Sequence, residues 1–291
     1  MKYDAIIIGS GQAGVPLSVR LADIGWKVAL IEKSFIGGTC INTGCTPTKT
    51  MVQRAQVAHY ARNAARWGVR ANDVSVDLPA IVAQKNRVVE TFRGGKQKQI
   101  EQRPNLHFYR GIARFTDTHK IVVGDVEMES EKIFINTGGR PRKLAIPGLE
   151  TIPYLTNENI MDLKSVPEHM IVLGGGYIGL EFGQMFRRFG SRVTVIQSSD
   201  QLVSREDPEV ASELQKILEA EGIVFCMNSR TNRVEQQGES ILLTIEGKNG
   251  SSTILGTHLL DATGRQPNTD DLGLENAGIE TDKSGYIKVN G

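Results

Sequence analysis

Two stretches of this chain carry the same landmarks at one fixed separation. Gly174, Gly176, Gly179, Gly190 and Gln197 each stand 165 positions after Gly9, Gly11, Gly14, Gly25 and Glu32. In the first stretch, YDAIIIGSGQAG closes an all-apolar run into Gly9, Gly11 and Gly14, a helix follows with Val15, Val19 and Ala22 on one face, and KVALIE returns as a strand. The second, HMIVLGGGYIGLEFGQMFRRFGSRVTVIQ, repeats strand, turn, helix and strand in that order. One GxGxxG is weak evidence, since a glycine-rich βα turn is common. Two copies in register are strong, because the glycines do three separate things: they make the tight turn, let the backbone approach a pyrophosphate, and allow helix to pack on strand. Glu32 closes the second strand 18 residues after Gly14, where an acid meets the ribose of a dinucleotide.

The bulk composition narrows the partners. With 291 residues, 40% hydrophobic and 23% charged, two domains are expected. A net charge of +1 supplies no basic field for nucleic acid or anionic lipid, so the expected partners are small molecules or a small disulfide. Glycines interrupt the opening apolar run well before the length of a signal h-region or a membrane span, which reads as a buried strand in a soluble, cytoplasmic protein. Three cysteines are too few for a secreted disulfide scaffold. Cys40 and Cys45, five apart, point to redox chemistry instead. Cys226 lies in an apolar strand-like run and reads as a packing residue. The five histidines show no ligand spacing, and no metal site is expected.

Between the two copies lie helical stretches near 46–67 and 77–101 and a β-rich segment from Leu106 to Asn136. KIFINTGGRPRKLAIPGLE follows a strand with turn residues and two prolines, as a crossover between domains would. Later, GIVFCMNSRTNRVE and ESILLTIEG read as strands, and HLLDATGRQPNTDDLGL repeats the strand-then-TGRxP theme of residues 133–141. The expected architecture is α/β, with two Rossmann-like dinucleotide-binding domains, the second inserted in the first. Residues 1–147 form the first part, 148–264 the inserted domain, and 265–291 an incomplete return.

The segment GGTCINTGCTPTKT holds the chemistry. Thr46 and Pro47 suit a helix start, which puts Cys45 at or just before the positive end of a helix, where a thiolate is stabilised. If the helix includes Cys45, Lys49 is one turn on and shares its face. Two inert thiols are the bland reading of this spacing, and the glycine frame argues against it. Here the sequence resembles the class I pyridine nucleotide-disulfide oxidoreductases, the family of glutathione reductase, dihydrolipoamide dehydrogenase, trypanothione reductase and mercuric reductase. The match runs in order through the N-terminal fingerprint, the cysteines, INTGGRP, GGGYIGLE and DATGRQPNT.

The resemblance implies FAD on the first unit and NADP or NAD on the second. It implies that Cys40 is the interchange thiol, that Cys45 sits over the flavin, that Lys49 lies beside the flavin N5 and pairs with Glu181, and that Tyr177 gates the nicotinamide pocket. Tyr177 and Glu181 are four apart on a helix, so both can face one ring system. Gly38, Thr39, Ala113, Thr137, Gly138 and Gly264 join the two fingerprints as expected cofactor contacts.

The expected activity passes electrons from NAD(P)H through flavin to Cys40 and Cys45, and on to a disulfide or a soft electrophile such as Hg(II). TPTK resembles the mercuric-reductase branch more than VPKK or IPSK, yet the further thiol pair of a mercuric reductase does not occur in this sequence. In place of an acid at the end of the second copy stand Gln197, Ser198 and Ser199, with Arg205 nearby; neutral donors and a cation favour NADPH over NADH. Two other classes also fit. A flavin oxidase or transhydrogenase would leave the cysteines idle in turnover, and a redox sensor would bind FAD without steady nucleotide consumption. The resemblance breaks off at GYIKVNG, whereas family members continue into a further FAD strand and a dimerisation domain with a His-Glu pair. A homodimer formed through residues beyond Gly291 is therefore expected, and none of His59, His107, His119, His169 and His258 matches the context of that histidine.

Overall fold

The computed structural model describes residues 1–248 and 250–290. In chain order its elements are β1 (Ala5–Ile8), α1 (Gly14–Asp23), β2 (Val28–Glu32), α2 (Gly38–Asn42), α3 (Cys45–Arg62), α4 (Leu78–Glu101), β3 (Leu106–Arg110), β4 (Ala113–Asp117), β5 (Lys120–Val123), β6 (Val126–Glu129), β7 (Ile133–Ile135) and β8 (Gly139–Pro141). Then follow β9 (His169–Leu173), α5 (Tyr177–Phe189), β10 (Arg192–Ile196), α6 (Pro208–Ala220), β11 (Ile223–Cys226), β12 (Arg230–Gln237), β13 (Ser240–Gly247), β14 (Gly250–Gly256), β15 (His258–Asp261) and β16 (Arg265–Pro267). The chain packs into two compact units. Unit 1 comprises Met1–Pro47, Asn86–Arg140 and Arg265–Gly291; unit 2 comprises Thr48–Lys85 and Pro141–Gly264.

Unit 1 is built on a parallel sheet of order β3-β2-β1-β7. The strands AIII and VALIE are buried along their whole length, as a parallel sheet covered on both faces requires. Alternate residues take opposite faces. Ile6, Ile8, Ala29 and Ile31 join a core with Phe115, Ile121 and Met128 of the antiparallel β4-β5-β6 meander, while Ile7, Val28 and Leu30 pack with Val15 and Ala22 of α1 and Ile100 of α4.

Unit 2 repeats this plan. Its parallel sheet has the order β11-β10-β9-β15, and β12-β13-β14 forms an antiparallel meander. Met170, Val172, Val193 and Val195 face α5 and α6, with Phe186 at the centre, while Ile171, Leu173, Ile196 and Leu259 face Val234, Ile241 and Leu243 of the meander. The two Rossmann-like units thus share one strand order, and the second interrupts the first between Arg140 and Arg265.

Two details differ from the sequence reading. GIVFCMNSRTNRVE is not one strand. It splits into parallel β11 and antiparallel β12 at Asn228, which takes a left-handed backbone (φ +51°) that Asn tolerates better than most residues. Residues 48–85, assigned by sequence to the first domain, pack in unit 2, because Met51, Ala55, Leu78 and Val82 are buried in the same core as Phe186.

Phe186 is fully buried, whereas Ile217 on α6 is 50% exposed. Phe186→Ala is expected to lower the unfolding free energy by about 3–5 kcal/mol, through lost transfer energy and a residual cavity. Ile217→Ala is expected to cost about 1 kcal/mol or less. Urea denaturation of both variants checks this; equal losses would contradict the packing described.

Candidate cofactor and redox sites

In both units the glycine turn is held so tightly that no side chain fits. A Cβ on Gly9 would collide with the carbonyl of Asn136, and one on Gly14 with the carbonyl of Gly9. In unit 2 a Cβ on Gly174 would meet the Ala262 oxygen at 2.7 Å, and one on Gly179 would collide with the Gly174 carbonyl. Above these contacts the turns are open: a Cβ on Gly176 would touch nothing within 4 Å, and one on Gly11 would find its nearest neighbour, Asn136 Nδ2, at 3.6 Å. Helices α1 and α5 start without a side-chain cap and without an acid in the first turn, so their first N–H groups are available to an anion. The residues present fit a dinucleotide pyrophosphate at each turn.

The strand-end residues complete a parallel arrangement. Glu32, buried at the end of β2, accepts hydrogen bonds from Ser10 N (3.0 Å), Ser10 Oγ (2.7 Å) and Ser34 N (2.8 Å). In unit 2, Gly175 N donates to Gln197 Oε1 at 2.9 Å. Gly175 and Gln197 stand 165 positions after Ser10 and Glu32, so the repeat extends to this hydrogen bond. The Gln197 amide then spends its donor on Ser199 Oγ (2.6 Å) and the Gln201 carbonyl (3.0 Å). Gln197 is therefore tied into its own loop at both ends, which corrects the expectation that it meets the ribose 2′ position directly. Ser198 and Arg205 are exposed.

The remaining expected contacts fall into three groups. Gly38 and Thr39 open α2, and Gly38 is packed so that a Cβ would stand 2.8 Å from the Cα of Gly11. Thr137 and Gly138 follow β7, and their carbonyls accept from Asn268 Nδ2 (2.9 Å) and Asn268 N (3.0 Å). Ala113 is buried in the core behind the unit 1 sheet, so its side chain faces packing. Gly264 accepts from Arg142 N at 3.1 Å.

Cys40 lies in α2 and Cys45 is the first residue of α3; both are free thiols, Cys40 half-buried and Cys45 exposed. Their side chains are hydrogen-bonded to each other, and the N–H groups of Cys45 and Thr46 reach the sulfur of Cys40. The amides at the start of α3 thus serve Cys40, a distribution that spacing alone did not show. Burial is the largest influence on Cys40 and, with the neighbouring Cys45, pushes its thiol above the ordinary range, against the pull of those amides. Gly44 makes the loop possible, since a Cβ there would stand 2.9 Å from the Thr39 oxygen and 3.2 Å from the Cα of Cys40. Sequence reasoning missed Asn42. Its Nδ2 donates to the carbonyls of Gly38 (2.8 Å) and Ile36 (3.1 Å), and its Oδ1 accepts from Arg93 Nε (3.1 Å) and Nη2 (2.7 Å).

In unit 2, Lys49 forms an ion pair with Glu181, the pairing the resemblance implied. Lys49, Glu181 and Tyr177 line a cavity of about 340 Å³ whose apolar wall includes Val52 and Leu180. The Tyr177 hydroxyl donates to the Glu206 carboxylate, which holds the phenol above its usual range. Cys226 lies in β11 against the core beneath the meander, and burial pushes its thiol up. Among the described residues no three His, Cys, Asp or Glu side chains cluster as metal ligands would, and no helix is long and apolar enough to cross a membrane.

Comparison with known proteins agrees with this geometry. Residues 3–291 match the family model described as pyridine nucleotide-disulphide oxidoreductase. A mercuric reductase of Lysinibacillus sphaericus is 36% identical over 291 residues, covering 99% of this chain and 53% of that protein. A dihydrolipoyl dehydrogenase of Thermus scotoductus is 33% identical, covering 99% of this chain and 62% of that protein. The solved structure of the HOCl-induced flavoprotein disulfide reductase RclA from Escherichia coli is similar at a TM-score of 0.87 and 37% identity, over 99% of this chain and 62% of that one. The chain thus spans between 53% and 62% of the length of these relatives.

The close approach at Gly44 yields a test. Gly44→Val forces the loop off Cys40 and is expected to slow closure of the Cys40–Cys45 disulfide under a fixed oxidant by roughly tenfold or more, as misplacement of reacting groups does. Gly94→Val, on α4 with nothing within 4 Å of its Cβ, serves as the control. Quenched-flow alkylation with mass analysis measures both rates; equal rates would contradict the role given to Gly44.

Proposed function

This chain belongs to the pyridine nucleotide-disulphide oxidoreductase family, and from that membership we propose that it takes electrons from a nicotinamide nucleotide and delivers them to a disulfide or another soft electrophile such as Hg(II). The turn of Gly9, Gly11 and Gly14 with Glu32 holds FAD, and the turn of Gly174, Gly176 and Gly179 holds NADP or NAD. The observation that carries the reading is the pair of hydrogen-bonded thiols, Cys40 and Cys45, held at the first turn of α3.

When bound, the flavin supplies two-electron transfer between nucleotide and thiols. The chain's own chemistry is thiol exchange. The Cys40 thiolate attacks one sulfur of an external disulfide, that S–S bond breaks, and the departing thiolate takes a proton. Cys45 then attacks the Cys40 sulfur of the mixed disulfide, the second substrate thiol leaves, and the Cys40–Cys45 disulfide remains to be reduced by two electrons. The amides of Cys45 and Thr46 favour negative charge on Cys40 during attack. In unit 2 the Lys49–Glu181 pair fixes a cation beside the cavity, while Ser198 and Arg205 offer a neutral donor and a positive charge to a 2′-phosphate.

Cys40→Ser and Cys45→Ser are each expected to abolish disulfide reduction while leaving NADPH-driven reduction of a small dye. Disulfide turnover that survives either change would favour a flavin oxidase in which the thiols are idle. Because the Cys40 thiol is raised, the exchange step is expected to accelerate as pH climbs through and beyond the ordinary thiol range. A flat stopped-flow profile there would exclude Cys40 as the attacking group. Arg205→Ala is expected to lower kcat/KM for NADPH about tenfold relative to NADH, the scale of one charge-assisted hydrogen bond. An unchanged ratio would mean that the nucleotide is read elsewhere.

A further inference from the structure

Among the side chains around the unit 2 cavity, Glu206 is not accounted for by the chemistry above. It lies just before Asp207, the N-cap of α6, in a turn whose backbone is pinned at several points. Glu206 N donates to the Val203 carbonyl at 2.8 Å, and the Glu206 carbonyl accepts from Gln201 Nε2 at 2.8 Å. Val203 takes a left-handed backbone (φ +40°), costly for a β-branched residue, and is kept there by its buried side chain and by its N–H bond to the Gly175 carbonyl at 2.9 Å. The turn is thus anchored on the same glycine segment that would receive the pyrophosphate.

From this fixed base the Glu206 carboxylate reaches Tyr177, the first residue of α5. Tyr177 is 62% exposed and lines the cavity with Lys49 and Glu181, so nothing but this bond ties its ring down at the hydroxyl end. Backbone motion is not needed to break it, since rotation about exposed side-chain bonds suffices.

We propose that Glu206 is a positioning residue that latches the Tyr177 ring beside the unit 2 cavity, and that a nicotinamide ring must displace this latch to reach the space beside Lys49 and Glu181. The proposal rests on the assignment of the nucleotide to unit 2. A site competent only when the latch is open binds with an affinity reduced by the open fraction. Weakening the latch therefore tightens nucleotide binding. Arg205, next in sequence, gives a second way for Glu206 to act, by opposing a 2′-phosphate through its own charge; the two roles separate by nucleotide. A latch holds back NADH and NADPH alike, whereas charge opposition touches NADPH alone.

The test uses the full chain with its flavin. Glu206→Gln and Tyr177→Phe are each expected to lower KM and the directly titrated Kd for both NADH and NADPH by about three- to tenfold, with the change from Glu206→Gln sitting in KM rather than in kcat. The double variant is expected to gain no more than either single one, because both remove one bond. Gains that add, gains confined to NADPH, or unchanged KM and Kd would overturn the latch. An ultraviolet difference titration reads the bond without nucleotide: the slow-titrating phenol lost in Tyr177→Phe should return to the ordinary tyrosine range in Glu206→Gln. Identical titrations of the parent and Glu206→Gln would also overturn it. If the parent protein consumes neither nucleotide, the assigned activity fails, while the phenol titration still decides whether the bond exists.

Discussion

The approach of helix to strand across two glycines is the constraint on which both units depend. Gly14 rests on the carbonyl of Gly9, and Gly179 on the carbonyl of Gly174, with no room for a methyl group at any of the four positions. This proximity lets α1 and α5 present uncapped N-termini directly above the C-terminal ends of β1 and β9, where an open-sheet fold binds its ligand. It also places a side chain from the end of the neighbouring strand within reach of the turn. Glu32 binds Ser10 N and Gln197 binds Gly175 N, so each glycine turn is braced by one acceptor from the next strand.

Against this shared frame the differences between the units carry the specificity. In unit 2 the chain passes from β10 through one loop into α6. In unit 1 the interval between β2 and α4 instead holds α2, the two cysteines and α3. The redox segment is thus an addition at one corner of a repeated plan. Its geometry rests on short-range devices, the close contact of Gly44 with Cys40 and the Asn42 amide that binds the carbonyls of Ile36 and Gly38. The brace itself diverges too. Glu32 remains an anion held by three donors, whereas Gln197 is a neutral amide whose donor side is spent within its own loop.

How much of this could be read from sequence depended on whether the signal was local. The glycine spacing, the buried strands AIII and VALIE and the helix start at Cys45 were all legible, because turn, burial and capping preferences act within a few residues. The Lys49–Glu181 pair spans 132 positions and carries no local mark; it came from resemblance alone. Asn42 and Arg93 are 51 apart and escaped notice, as did the parallel between Ser10 and Gly175, which needs the backbone N–H directions. Gln197 was read as a nucleotide contact because its strand-end position is that of Glu32, but the loop at 199–201 supplied partners that no spacing rule anticipates. Residues 48–85 joined unit 2 for a related reason. Nothing in the stretch itself says which sheet its apolar positions Met51 and Ala55 will cover.

The central claim is that one repeated glycine turn serves two different dinucleotides independently. Equilibrium binding of FAD and of NADPH to the parent protein, Gly14→Val and Gly179→Val tests it most directly, with circular dichroism confirming that each variant is folded. The account predicts that Gly14→Val loses FAD and keeps NADPH, and that Gly179→Val does the reverse. Folded variants that each lose both ligands, or retain both, would contradict it.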